Sequence, residues 1–238
     1  MEVTQYNDIN LIYKYYSPSE HNLDALINRY FWFAKKDFLN DPFDLGNFKK
    51  GRNLSLYVNL HQSLSNGDLN ETTIKQFIKE YACCSFTKSE LDKQMWAYYA
   101  KDYLGWCLAF RREEQNVAKD IPLYPVIYVN SDLKPINHID ETLYGTDSPE
   151  DGIRKLLCTK HESWQHEQEM RMLIKMKSTN IGKKHCWGMY SLHHITIGHK
   201  ISPAFENIIT TIAKGMQVNV YKIDVNRTDF QLDKKLIT

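Results

Sequence analysis

At 238 residues, with 42% hydrophobic and 25% charged side chains, the chain has enough apolar material for one substantial core, which argues against disorder across most of it. Thirty basic against 29 acidic residues leave a net charge of +1, so the strong one-signed field of a dedicated duplex binder is missing, although a local basic patch stays open. The five cysteines, Cys83, Cys84, Cys107, Cys158 and Cys186, are odd in number and include no C-x-x-C pair; this fits neither a disulfide framework nor a zinc ribbon and points to reduced thiols.

Residues 11–16 are β-branched and aromatic enough for a first strand, and Ser17-Pro18-Ser19-Glu20 reads as a capping box with proline at the first helical position, opening a helix over about 18–29. Residues 30–34 read as a second short strand. Asn40-Asp41-Pro42-Phe43-Asp44 breaks the pattern, because proline drives its predecessor out of the α region and Asn and Asp bond their own backbone. Amphipathic helices are expected over 53–65 and 71–81, a strand over 82–87, a helix over 92–103, and strands over 105–111 and 123–129. Ser148-Pro149-Glu150-Asp151 is a second capping signal, opening a helix to about 162. Strands over 167–175, 195–198 and 218–225 and a helix over roughly 203–215 complete the pattern. No repeat, low-complexity tract or Gly/Ser linker divides the chain, so a single domain over 1–238 is expected: α+β, with a mixed, mostly antiparallel sheet and flanking helices. An apolar run of about 18 residues is missing, and Met1-Glu2-Val3-Thr4 lacks the basic-then-apolar layout of a signal peptide, so the expected location is the cytoplasm, with no membrane association.

The most informative stretch is Trp164-Gln165-His166-Glu167-Gln168-Glu169-Met170-Arg171. Read as a strand, period two puts Glu167, Glu169 and Arg171 on one face. Two carboxylates and a guanidinium there can form an active-site wall, one carboxylate orienting a substrate hydroxyl while the arginine keeps its neighbour ionised; the same spacing also fits a solvated face with an internal ion pair. Ser85, Thr87 and Ser89 alternate and can face one cleft, or simply end a strand and cap the next element. Trp96, Tyr98 and Tyr99, with Trp106 and Phe110 beyond, supply either core packing or a wall on which a nicotinamide or adenine ring stacks. The nine histidines show no metal-ligand spacing, and the P-loop, Rossmann and nucleophile-elbow signatures are absent. Lys175, Lys177, Lys183 and Lys184 flank an expected hairpin, where they suit either a nucleic-acid backbone or plain solvent.

Taken together, Tyr13-Lys14-Tyr15, Asn40 to Phe43, Met95-Trp96-x-x-Tyr99-Ala100 with Gly105-x-Cys107, and Trp164-x-x-Glu167-x-Glu169-x-Arg171 resemble the signature of a bacterial family of unknown function. Its members often carry His where this chain has Tyr98. The order of three elements is also similar to that of ADP-ribosyltransferases of the Arg…Ser-Thr-Ser…Glu-x-Glu type. That resemblance implies an ADP-ribosyltransferase-like fold and NAD as substrate. It puts Lys14 where an arginine meets the dinucleotide phosphates and Ser85-Phe86-Thr87 at the nicotinamide pocket, with Glu167 and Glu169 as the catalytic pair. Tyr13, Trp96, Tyr99 and Arg171 would complete the dinucleotide site. Lysine for the arginine fork, and Phe86 inside the hydroxyl triplet, are departures from that pattern. Glu169 would bond the ribose 2′-hydroxyl and stabilise an oxocarbenium-like charge, while Glu167 prepares the acceptor. The expected function is transfer of ADP-ribose to a macromolecule, protein or RNA/DNA, in a toxin or phage-defence setting. The alternative is a non-enzymatic interaction module with an antitoxin or defence partner, in which Glu167, Glu169 and Arg171 form a structural network.

Overall fold

Runs rich in Tyr, Trp, Val and Ile fold as strands, and among the described residues helices are few, giving an α+β fold with a mixed, mostly antiparallel sheet. The computed structural model describes residues 11–41, 44, 78–112, 121–129, 157–177, 180–188 and 190–238. Among the described residues the elements are, in chain order, β1 (Leu11–Tyr16), α1 (Glu20–Ile27), β2 (Tyr30–Lys35), a 3-10 helix over Lys36–Phe38, β3 (Tyr81–Thr87), α2 (Lys93–Tyr98), β4 (Trp106–Arg112), β5 (Leu123–Pro125), β6 (Ile127–Val129), β7 (Thr159–His161), a 3-10 helix over Glu162–Glu167, β8 (Glu169–Lys175), β9 (Gly182–Cys186), β10 (Tyr190–Ile197), α3 (Pro203–Met216), β11 (Asn219–Asn226) and β12 (Gln231–Leu236). They fall into two compact units: Met1–Phe31, Phe86–Asp120 and His185–Thr238 form the first, Trp32–Ser85 and Ile121–Lys184 the second.

The first unit is a sheet in the order β12-β11-β10-β4-β1. Its pairs are antiparallel except β10 and β11, which run parallel and are joined through α3, a crossover that parallel strands require. Helices cover both faces. On one, Trp96 of α2 packs edge-on to Tyr15 at 5.2 Å and stacks on Tyr103 at 5.9 Å. On the other, Phe205 of α3 stacks on Trp106 at 5.9 Å, and Ile209 and Ala213 are fully buried. Phe31 anchors a second aromatic cluster with Phe86, Phe110, Trp187 and Tyr190.

The second unit has the order β9-β2-β3-β8-β5, beside a parallel two-stranded ladder of β6 and β7. β2 and β3 pair antiparallel through Ala34 and Cys83; β5 and β8 pair antiparallel with Tyr124 opposite Arg171. Gly182 is required where it stands, because a Cβ there would sit 2.3 Å from the Trp32 ring and 2.7 Å from the Phe33 carbonyl oxygen.

Several expected boundaries move, each for a local reason. Ser19, not Ser17, caps α1 by accepting the Asn22 N–H, while Ser17 takes the Asn22 side-chain amide, so the helix starts two residues later than the capping-box reading placed it. Asp92, where the expected helix begins, caps α2 by accepting from the Met95 N–H. The helix stops at Tyr98, because Lys101, Asp102 and Tyr103 are all left-handed; the stacking of Tyr103 on Trp96 holds that costly turn. The strand expected over 123–129 divides at Val126, whose N–H bonds Glu169 while that of Ile127 bonds Cys158, so the chain changes partner there. Thr159–His161 is strand where helix was expected. β8 and β9 form no hairpin, since β9 pairs with β2 and β8 with β3 and β5. The helix expected over 53–65, most of 71–81 and the capping signal at 148–151 lie outside the described residues. Among the described residues no helix is long and apolar enough to cross a membrane.

All five cysteines are free, four of them buried and Cys186 exposed. Burial pushes the Cys83 thiol up to about 12 and raises Cys107 well above its ordinary value, so neither supplies thiolate near neutral pH. Alkylation of the native protein should therefore label Cys186 alone, and denaturation should open the other four. Rapid native labelling of Cys83, Cys84, Cys107 or Cys158, read by peptide mass, would contradict this packing.

Candidate functional site

Among the described residues of the second unit, five buried charged side chains form one cluster: Asp44, Lys160, Glu167, Glu169 and Arg171, each between 0% and 5% exposed. β8 delivers two of them. Glu169 and Arg171 are two residues apart and therefore share a face. Arg171 Nε donates to Glu169 Oε1 at 2.6 Å and Nη2 to Glu169 Oε2 at 2.8 Å. The opposite edge of the guanidinium faces Asp44, with Nη1 to Oδ1 at 2.7 Å and Nη2 to Oδ2 at 2.6 Å, and Nη1 also donates to the Leu157 carbonyl at 2.7 Å. A guanidinium carries five N–H donors in a rigid fork, and here all five are used: two bidentate carboxylates and one carbonyl.

Glu167 reaches the cluster by a different route from the one period two implies. It closes the 3-10 helix over Glu162–Glu167, and Gln168, in the left-handed region at φ 43°, turns the chain before β8 begins. Glu167 is therefore off the strand, and Lys160 of β7 is the side chain that links it to Glu169. Lys160 Nζ donates to Glu167 Oε2 at 2.5 Å and Glu169 Oε2 at 3.3 Å, and lies 3.7 Å from Asp44 Oδ2. It also sits 4.8 Å from the Trp164 ring centroid, a cation–π contact. The Ser85 side chain hydrogen-bonds Glu169, and the Tyr128 hydroxyl accepts the Glu169 N–H at 2.8 Å.

Burial opposes ionisation of Glu169, but the charges and hydrogen bonds of Arg171 and Lys160 outweigh it and hold the carboxyl at about 2. Burial works against the charge on Lys160 and Arg171 too, and the surrounding carboxylates reverse the effect, raising both. Glu169, Lys160 and Arg171 are thus held in their charged forms. Among the described residues no group of three or more His, Cys, Asp or Glu is arranged to hold a metal ion.

Of the residues the sequence singles out, Glu167, Glu169, Arg171 and Ser85 meet in this cluster. Lys14, Tyr13, Thr87, Trp96 and Tyr99 belong to the first unit. Adjacent on β1, Lys14 and Tyr13 take opposite faces: the Lys14 ammonium lies 5.3 Å from the Phe86 ring, and the Tyr13 ring lies edge-on to His194 at 6.4 Å. Thr87 is buried and accepts the Ser89 N–H at 3.0 Å. Trp96 is wholly enclosed, its ring N–H bonded to the Glu90 carbonyl at 2.8 Å, and Tyr99 is half-buried against the same core. Sequence reasoning missed Asp44 and Lys160. Asp44 ends the Asn40-to-Asp44 breaker, where an acidic residue reads as turn chemistry, and Lys160 lay in an expected helix.

Residues 95–172 match a family model described as a protein of unknown function (DUF2971). The matched span begins at Met95 and ends one residue after Arg171, so it takes in Lys160, Glu167, Glu169 and Arg171 and leaves out Asp44. Searches of curated proteins and of solved structures return no match to this chain.

Arg171→Lys keeps the charge and loses both forks. It should lower stability by about 3–5 kcal/mol, as expected when a buried ion pair is broken, or roughly 10 °C in thermal midpoint for a chain of this size. The pH dependence has a definite sign. The folded value of Glu169 lies below the ordinary one of 4.5, so its contribution is fully present above 4.5 and is lost as pH falls through about 2. Chemical denaturation across that window should show stability falling with acid, and Glu169→Gln should flatten the slope; an unchanged slope in the variant would contradict this.

Proposed function

We propose that the chain is a non-enzymatic interaction module of a bacterial defence or toxin–antitoxin system, with the Arg171 cluster as its structural core and a macromolecular partner engaged elsewhere on its surface. The observation that carries this reading is the saturation of the guanidinium. An arginine that completes a dinucleotide site needs free donors, and a glutamate that stabilises an oxocarbenium-like charge has to touch the sugar. All five Arg171 donors are engaged inside the protein, and Glu169 is 5% exposed with both oxygens bonded to the guanidinium.

One observation favours the second reading, an ADP-ribosyltransferase-like enzyme that uses NAD to modify a protein or nucleic acid. Ser85 of the middle motif hydrogen-bonds Glu169 of the last, a proximity that the three-motif resemblance requires. For that chemistry Glu169 would exchange part of its Arg171 contact for a ribose hydroxyl, with Glu167 turned toward the acceptor.

The two readings separate in one experiment on the wild-type protein and Glu169→Gln, following thermal midpoint with and without NAD, nicotinamide release, and labelling of a cell extract by labelled NAD. The module reading expects no shift with NAD, no nicotinamide and no labelling, and a variant less stable by about 3–5 kcal/mol because a buried guanidinium loses its charge partner. Nicotinamide release by the wild type, lost in a variant of intact stability, would overturn it and establish the transferase; the expected loss of turnover is then about 10²–10³.

A further inference from the structure

The first unit holds a second buried carboxylate whose hydrogen bonds lead outward. Glu90 is 8% exposed. Its Oε1 meets His194 Nε2 at 2.8 Å and accepts from the Thr196 hydroxyl, and its Oε2 accepts from Lys234 Nζ at 2.6 Å. Beyond His194 the chain of bonds continues, Nδ1 to His193 Nδ1 at 2.8 Å. Adjacent strand residues ordinarily point to opposite faces. Here a bulge between Leu192 and His194 re-aims His193, a use to which bulges beside functional sites are put. One imidazole must donate and the other accept. Lys234 Nζ also lies 3.0 Å from His194 Nε2, but its shorter bond is to Glu90 Oε2; with Glu90 taking the His194 Nε2 proton, His194 Nδ1 accepts from His193 Nδ1, and His193 Nε2 is left with its lone pair. His193 is exposed, so the chain runs from a buried carboxylate to a solvent-facing base.

The cations around that end are in excess. Register fixes the face: His194 pairs with Ala109 and Ser191 with Arg111, and Ala109 and Arg111, two residues apart on β4, lie on the same side as His194. Arg111 Nε is buried without a hydrogen-bond partner among the described residues. The groups facing His193 are His194 beside it on β10, Arg111 on β4, Lys234 on β12 and Glu90 before α2; the phenols of Tyr13 and Tyr221 flank His194 from β1 and β11. With neutral imidazoles these sum to one positive charge, from Arg111 and Lys234 against Glu90.

We propose that Arg111, His193 and Lys234 form a proton-linked binding site for a phosphoryl group on this face of the first unit. The arginine fork matches an oxyanion in geometry and sign. A phosphoryl group, unlike a carboxylate, titrates near pH 6 and so has a proton to share with the free nitrogen of His193. The Glu90–His194 pair is the positioning element, fixing which His193 nitrogen carries the proton. The site uses none of the Arg171 cluster and stands apart from both readings of that cluster.

The test titrates inorganic phosphate into the full chain, following histidine ring signals by NMR together with thermal midpoint. Sulfate serves as the oxyanion without a titrating proton, and acetate as the carboxylate. Phosphate should raise the titration midpoint of His193 and the thermal midpoint, and Arg111→Gln should weaken binding by roughly tenfold or more, the value of a hydrogen bond to a charged group. At the exposed position, His193→Asn should remove the pH dependence of binding while retaining the fold, which keeps the test valid if Arg111→Gln is unstable. No response of His193 to millimolar phosphate, or an undiminished response in Arg111→Gln, would overturn the site. Sulfate or acetate matching phosphate, with His193 titrating as before, would overturn the proton linkage.

Discussion

Arg171 brings a permanent positive charge to a position with no exposure, where an unpaired ion costs several kcal/mol even after relaxation. Two carboxylates and a carbonyl offset that cost only because they arrive in the plane and directions of the guanidinium, and this demand dictates much of the second unit. Asp44 has to come in from the segment after β2, Glu169 has to stand two residues before Arg171, and Leu157 has to turn its carbonyl inward. Lys160 then has to neutralise the carboxylates that the arginine gathers, which places β7 alongside. An apolar core of equal volume can be as stable. What the ionic core adds is direction: it accepts one arrangement of these segments and leaves any other with buried unpaired charge.

A carboxylate is buried in the first unit under different terms. Glu90 is held at about 2 because its hydrogen bond with His194, and then the charge and hydrogen bond of Lys234, outweigh the penalty of burial. Its donors are a hydroxyl, an imidazole and an ammonium, and only the ammonium is permanently charged. An imidazole passes a proton where a guanidinium cannot. The Arg171 network is closed and every guanidinium donor spent, whereas the Glu90 network ends on a ring nitrogen at the surface. Closed networks fix a shape; open ones couple a buried charge to whatever binds at the mouth.

Periodicity and turn chemistry made much of the fold legible. β1, the start of α2 and the helix α3 between two strands follow from local pattern, because there local preference and tertiary packing agree. Legibility failed where a strand is too short to show a period, as in β7, or where partners rather than propensity set the boundary, as at Val126. It failed again at Lys101 to Tyr103, where stacking on Trp96 overrides a helical pattern. Glu169 and Arg171 were recognisable as a pair from spacing of two. Glu167 was placed with them by the wrong geometry, since nothing local distinguishes a 3-10 helix closed by a left-handed Gln168 from a continuing strand. The histidine chain was hidden for a related reason: adjacent His193 and His194 read as opposite-facing unless the bulge is known.

The span matched to the family of unknown function, residues 95–172, is shorter than the physical arrangement it belongs to. It contains both cations of the Arg171 cluster and two of its three carboxylates, and omits Asp44, which takes two of the five guanidinium bonds. A chain reduced to that span would bury a guanidinium with half its carboxylate partners, a penalty of the size that unfolds small domains. The same span crosses from the first unit to the second between Asp120 and Ile121, and it holds Trp96 and Cys107 without Glu90, His194 or Lys234. Its boundaries therefore mark where sequence resembles the family, while the smallest piece that satisfies its own buried charges reaches back at least to Asp44.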